Sequence, residues 1–192
     1  MTQPTWKAQL RGVQQALTTE WRPRVTVPTM MFGDKEALHF ASPHNDPFVV
    51  EMKITSAIIW GILVDVGSSV DIITWDYLKK LTHPGHDIVP LVHPVLGFEG
   101  QEVNHAGMIC LPLRFGDKLK VRILEVDFLV VHMPTAYKVV VGLLTLHRAK
   151  AIITPYILQL QFEADHGSVA EIHGKQRMAQ ECYLTSIQPL VE

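Results

Sequence analysis

The pattern with the most chemical content in this chain is an aspartate at the end of an apolar run, with a glycine two residues further on. The segment from Ile62 to Ile73 is ILVDVGSSVDII, in which Asp65 follows Ile62-Leu63-Val64 and precedes Val66-Gly67-Ser68-Ser69. A carboxylate in such a place is costly to bury unless it is paired or hydrogen-bonded. Gly67 lets the backbone turn sharply and set its N–H against the carboxylate. A hydroxyl from Ser68 would add a hydrogen bond that favours the ionised form. The chemistry on offer is that of a held, hydrogen-bonded carboxylate. Taken alone, the segment is more simply a structural turn, because Asp-x-Gly at a strand end is common.

Other reactive residue types carry less. Ser68 and Ser69 lack the Gly-x-Ser-x-Gly elbow of a nucleophilic serine. The chain has 10 histidines, and His83-Pro84-Gly85-His86 is their tightest pair. Pro-Gly between the two indicates an exposed turn, and no cysteine or acid stands at ligand spacing, so neither a metal nor another cofactor is expected. Asp71 follows Asp65 beyond Gly67 and is expected on the outward face of the next strand, not as a second catalytic acid. Cys110, in an apolar strand, is expected in the core. Trp75 is expected to pack a helix onto a sheet, and Asp34 and Glu36 to be solvated charges in a linker.

The elements that must position Asp65 are mostly strands. FVVEMKIT, AIIWGILVDV, KLKVRILEVDFLVV and KVVVGLL are rich in Val and Ile and poor in helix formers. Glycines at Gly67, Gly97, Gly100, Gly107, Gly116 and Gly142 punctuate them as turns would require. One helix is expected at Trp75–Leu81, with Thr74 as its N-cap. Residues 1–46 differ in texture and are expected as an N-terminal extension and linker. Within them Trp6, Leu10, Val13 and Leu17 lie near helical spacing, and Pro23 and Pro28 end that helix. The β-rich domain is expected over residues 47–163, with a mixed, polar tail over 164–192.

Several landmarks in order resemble one family. Asp65-Val66-Gly67-Ser68-Ser69 resembles the Asp-Thr/Ser-Gly-Ser/Ala motif of aspartic proteases. LVDVGSSVDIITWDYLKKL is similar to the retropepsin-like domain in polyproteins of plant gypsy-type (LTR) retrotransposons. The likeness continues through Leu96-Gly97-Phe98-Glu99-Gly100, Leu111-Pro112-Leu113-Arg114-Phe115-Gly116 and Thr135-Ala136-Tyr137. It ends near Val140-Val141-Gly142-Leu143-Leu144-Thr145-Leu146-His147 and Leu158-Gln159-Leu160-Gln161-Phe162.

The resemblance implies an all-β, retropepsin-like closed barrel with one short helix, forming half of a two-fold aspartic protease. It implies Asp65 as the catalytic carboxylate, with Val66, Gly67 and Ser68 in its loop. It implies a flap hairpin at Gly97, Phe98, Glu99 and Gly100, and support beneath the loop from Val140, Val141 and Gly142. With a single Asp-x-Gly motif, the two carboxylates of the chemistry would come from a homodimer. Two carboxylates within about 3 Å share one proton, and together they activate a water against a peptide bond. The implied activity is aspartic-type endopeptidase, acting on a retroelement polyprotein.

Two departures bear on that activity. Val66 stands where the family has Thr or Ser, whose hydroxyl bonds across the dimer beneath the two aspartates. Its loss would cost about 1 kcal/mol per subunit. Leu143-Leu144 stands where the family usually shows Gly-Arg-Pro or Gly-Arg-Asp, so a charged dimer tether is missing. The alternatives are a catalytically weakened or inactive binding module of the same fold, and an unrelated barrel with a coincidental Asp-x-Gly.

Composition is compatible with all three. Of 192 residues, 47% are hydrophobic and 19% charged, enough for a sizeable core. A net charge of -2 gives no basic excess for nucleic acid. No apolar run approaches the ~18 residues of a membrane span, and the N-terminus lacks a signal-like stretch. Two cysteines make a disulfide framework improbable. A soluble, cytoplasmic protein with a polypeptide substrate, no nucleic acid and no membrane is expected.

Overall fold

A computed structural model of the chain describes residues 28–33, 41, 43–81, 88–91, 94–95, 97, 100–133 and 135–187. The expected helix between Trp6 and Trp21, and Asp34 and Glu36, lie outside the described residues, as do His83 and His86.

The first strands follow from alternation of apolar residues. In β1 (Val49–Ile54) and β2 (Ala57–Val64), Val50, Met52, Ile54, Ile59, Ile62 and Val64 are buried and face one core. A turn at Thr55 folds β2 back antiparallel on β1. β3 (Asp71–Thr74) runs into α1 (Trp75–Leu81), the expected helix. The Thr74 hydroxyl donates to the Lys138 carbonyl across the sheet (3.4 Å). Trp75 packs against the core, with its ring 4.9 Å from that of His132.

The long hairpin of β4 (His105–Asp117) and β5 (Lys120–Val131) places Ile109, Leu111, Leu113 and Phe115 inward from one strand and Val126, Phe128 and Val130 from the other. Cys110 has the opposite parity to Ile109 and Leu111 and is exposed, not in the core as expected. β6 (Val139–Val141) is short. The run KVVVGLL was expected to be strand throughout, but from Leu143 it is α2 (Leu143–Arg148).

These six strands close a barrel in the order β1-β2-β6-β3-β5-β4, with β4 returning to β1 through Lys53–Arg114 and Ile54–Leu113. The all-β closed barrel expected from the sequence is therefore the architecture observed. β6 is inserted between β2, to which it is parallel, and β3, to which it is antiparallel. The chain that joins β2 to β3 must therefore straddle the end of β6, and Asp65 is on that crossing.

A second sheet holds β7 (Ile152–Thr154), β8 (Gln159–Glu163) and β9 (Val169–His173) in the order β7-β8-β9. Phe162 of β8 packs its ring 5.7 Å from Phe115 of β4, which joins the sheet to the barrel core. α3 (Gln176–Ile187) follows, and the Lys175 N–H donates to the Val49 carbonyl of β1 (2.7 Å). β9 and α3 thus lie beyond Glu163, where a polar tail was expected, yet are joined to β8 and β1. α2 and α3 were not among the helices expected from the sequence. Residues of the expected linker also bond to this part of the molecule: Gln161 Nε2 donates to the Met31 carbonyl (2.6 Å), and Gln176 Nε2 to Asp46 Oδ2 (2.7 Å).

Candidate active site

Pairing of Val64 with Val141 brings the ends of β2 and β6 together. One residue later, the Asp65 N–H donates to the Val141 carbonyl (3.0 Å). The backbone then turns. The Gly67 N–H donates to Asp65 Oδ1 at 2.8 Å, the interaction expected from the Asp-x-Gly pattern. A Cβ on residue 67 would lie 3.2 Å from that same oxygen, so glycine allows the amide to approach the carboxylate. The Ser68 hydroxyl does not serve Asp65 as expected. It donates to the Val70 carbonyl (2.7 Å) and stiffens the loop exit.

Val140, Val141 and Gly142 lie beneath this loop. The Leu143 N–H donates to the Ser68 carbonyl (2.8 Å), so the turn after β6 holds the loop at both ends. Gly142 is packed so closely that a Cβ there would stand 2.7 Å from the Val70 oxygen and 2.8 Å from the Ser68 oxygen. Both are backbone atoms, so no side chain fits without moving the loop.

Asp65 faces a cavity of 770 Å³. Its floor is the loop, with Asp65, Gly67, Ser68 and Ser69; its walls include Ile72, Leu129, Val131 and Met133. Val95, Gly97 and Val103 also line it. They belong to a hairpin in which the Val103 N–H donates to the Val95 carbonyl (2.8 Å), Gly97 N–H to Gln101 (2.8 Å) and Gly100 N–H to Gly97 (3.0 Å). Val89, in the segment before it, exchanges hydrogen bonds with Met108 of β4. Phe98 and Glu99, candidates for the hairpin tip, lie outside the described residues. The cavity is thus lined mostly by apolar side chains, with the Asp65 carboxylate among them.

Asp71 departs from expectation. It is 5% exposed, on the inner side of β3 with Ile73. Its Oδ1 accepts from the Gly142 N–H and its Oδ2 from the Thr145 hydroxyl, each at 2.7 Å. Burial pushes its carboxyl above the ordinary range, against the lowering effect of those two bonds and of Arg148. β3 is paired along both edges, with β5 and β6, and Asp71 falls on its buried face, where the Gly142 N–H and the Thr145 hydroxyl meet it. Its shared parity with Ile73 was the available signal. Thr145 and the cavity walls gave no local signal, because pairing far along the chain places them.

Val66, Leu143 and Leu144 are 59%, 53% and 59% exposed, so branched apolar side chains stand in water on the loop and turn that hold Asp65. Among the described residues, no three of His, Cys, Asp and Glu gather where one metal ion could be held, and no helix is long and apolar enough to cross a membrane.

No family model matches the chain, and no curated protein matches it. Among solved structures, it is similar to the retroviral protease-like domain of Ddi1 from Leishmania major, at 15% identity and a TM-score of 0.48 over 67% of this chain and 93% of that one. It is also similar to the EIAV protease complexed with an inhibitor, at 17% identity and a TM-score of 0.43 over 60% of this chain and 98% of that one.

Proposed function

We propose that the chain is a retropepsin-like aspartic endopeptidase that works as a homodimer. The observation that carries this is Asp65 itself: a half-buried carboxylate on a backbone-clamped loop, at a largely apolar cavity that Val95, Gly97 and Val103 also line. One chain supplies one such carboxylate, and the reaction needs two. In a two-fold dimer the Asp65 carboxylates meet and share a proton. The ionised one takes a proton from a water between them, and the water oxygen attacks the scissile carbonyl carbon. The protonated one gives its proton to the carbonyl oxygen. As the tetrahedral intermediate collapses and the C–N bond breaks, the carboxyl that took the water's proton gives it to the leaving nitrogen, and its ionised partner takes the proton of the hydroxyl that re-forms the carbonyl. The hairpin from Val95 to Val103 acts as the flap over an extended polypeptide. A retroelement polyprotein is the substrate that the sequence resemblance suggests.

A second reading, a binding module of the same fold without turnover, draws on one observation. Val66 and Leu143 offer neither a hydroxyl nor a charge beside Asp65, so the frame for a dyad is weaker, and misplacement of about 1 Å can cost two orders of magnitude in rate. The deciding experiment is cleavage of unstructured, polyprotein-derived peptides near pH 5, with Asp65→Asn as control. Cleavage that Asp65→Asn abolishes is expected. Cleavage that survives it refutes the assignment, and none from a well-formed dimer favours the binding module.

A further inference from the structure

We propose that Asp71 is a positioning residue for the Asp65 loop: its buried carboxylate fixes the turn after β6, and that turn fixes the catalytic carboxylate. The kinetic consequence rests on the endopeptidase reading above; the structural one does not.

Three successive residues of the turn are engaged. The Val141 carbonyl receives the Asp65 N–H, the Gly142 N–H goes to Asp71, and the Leu143 N–H goes to the Ser68 carbonyl. Two of these bonds grip the loop directly and Asp71 takes the third. An N–H at the start of a helix has no partner within the helix, so Asp71 meets an obligation that Gly142, lacking a side chain, cannot meet locally. Its second oxygen takes the Thr145 hydroxyl, which ties the first turn of α2 to the same point. Thr145 is itself buried. The charged groups that act on Asp71 are Arg148 of α2, which favours its ionised form, and Asp127 of β5, which opposes it. Removing one partner of a buried hydrogen-bonded carboxylate leaves the other groups unsatisfied.

The effect should be local. Backbone oxygens of Val70 and Ser68 occupy the space where a Cβ of residue 142 would lie, so the turn and the loop are closely packed. Loss of Asp71 should free the turn and let Asp65 wander, while the part of the β4–β5 hairpin beyond its pairing with β3, at Leu111 and Val126, keeps its order.

Amide hydrogen exchange on the full chain tests this with Asp71→Asn, Thr145→Val and Thr145→Ser. In Asp71→Asn, exchange at Asp65 and Gly142 should rise about tenfold relative to Leu111 and Val126 in the hairpin. Thr145→Val should give a smaller local rise, and Thr145→Ser, which keeps the hydroxyl, should match the parent. In the peptide assay Asp71→Asn should lower kcat about tenfold or more with KM little changed, and Thr145→Ser should retain the parent kcat. Exchange that rises equally in loop and hairpin, or does not rise at Asp65 and Gly142, overturns the proposal. If Asp71→Asn does not fold, the Thr145 pair decides by the same readout. If the parent shows no Asp65-dependent cleavage, the endopeptidase reading fails, while the exchange pattern still decides the role of Asp71.

Discussion

Asp65 and Asp71 lie six positions apart, and the barrel gives them opposite environments. Asp65 is half-buried at a cavity; Asp71 is enclosed by β3, β6 and α2. Burial raises the Asp71 carboxyl above its ordinary value, so the folded chain holds that proton more tightly than the unfolded one. Its contribution to stability is therefore complete below about pH 3.9 and is lost as pH rises through the raised value. Asp71→Asn removes the titration along with part of the hydrogen bonding. The difference in Tm between parent and Asp71→Asn should be largest in acid and shrink towards neutrality. A difference that stays flat with pH would contradict the burial effect. Gly142 offers a separate test on the same loop. Gly142→Ala drives a methyl to within 2.7 Å of the Val70 oxygen, and neither backbone segment can yield freely. A loss of about 1–3 kcal/mol is expected in urea unfolding, and an unchanged midpoint would mean that the loop gives way there.

At the scale of elements, α3 is the segment whose role changed most between sequence and structure. Its mixed polarity over residues 164–192 suggested a solvated tail, yet Ala179 is fully buried in it. The helix packs on β2 at Gly61, where a Cβ would stand at an ordinary contact distance of 3.6 Å from Cys182 Sγ. Ala179→Asp should therefore cost on the order of 3 kcal/mol, where an exposed tail would lose less than about 0.5 kcal/mol. Thermal or urea unfolding distinguishes the two. The strands of the barrel were legible because Val and Ile runs alternate or lie wholly inside, and α1 because WDYLKKL lacks that β-rich texture. α2 was not legible. LLTLHR continues a valine run, and only the clamp of the Gly142 turn on the Ser68 carbonyl ends the strand at Val141. The site was half legible for the same reason. The Asp65 loop is local in sequence, and its glycine fits the turn that was expected. The cavity is not local: Leu129 and Val131 reach it only because β3 pairs in parallel with β5.

For the whole molecule, the open question is what covers the exposed face around Asp65. Val66, Leu143 and Leu144 stand largely in water there, next to a carboxylate that by itself cannot complete the proposed reaction. A second copy related by a two-fold axis would bury all three and bring the two Asp65 side chains together. Burial of these side chains favours association. In the proposed dimer, the absence of the hydroxyl and guanidinium that the sequence resemblance would place at residues 66 and 143 would oppose it. A measurable but weak dimer is the expected balance. Val66→Thr changes the side-chain volume little and restores one hydroxyl per subunit. At about 1 kcal/mol for each of two hydrogen bonds, Kd should fall roughly thirtyfold. Adding Leu143→Arg should tighten the dimer further, though not additively, because both changes act on one interface. Any Asp65-dependent cleavage rate at low protein concentration should rise in the same order. Sedimentation equilibrium over a wide concentration range reads this directly for the parent, Val66→Thr and the double variant. A strict monomer at high concentration in all three would count against the dimer and against catalysis. A dimer that Val66→Thr weakens would show that the apolar contact of Val66, and not a missing hydroxyl, governs this interface.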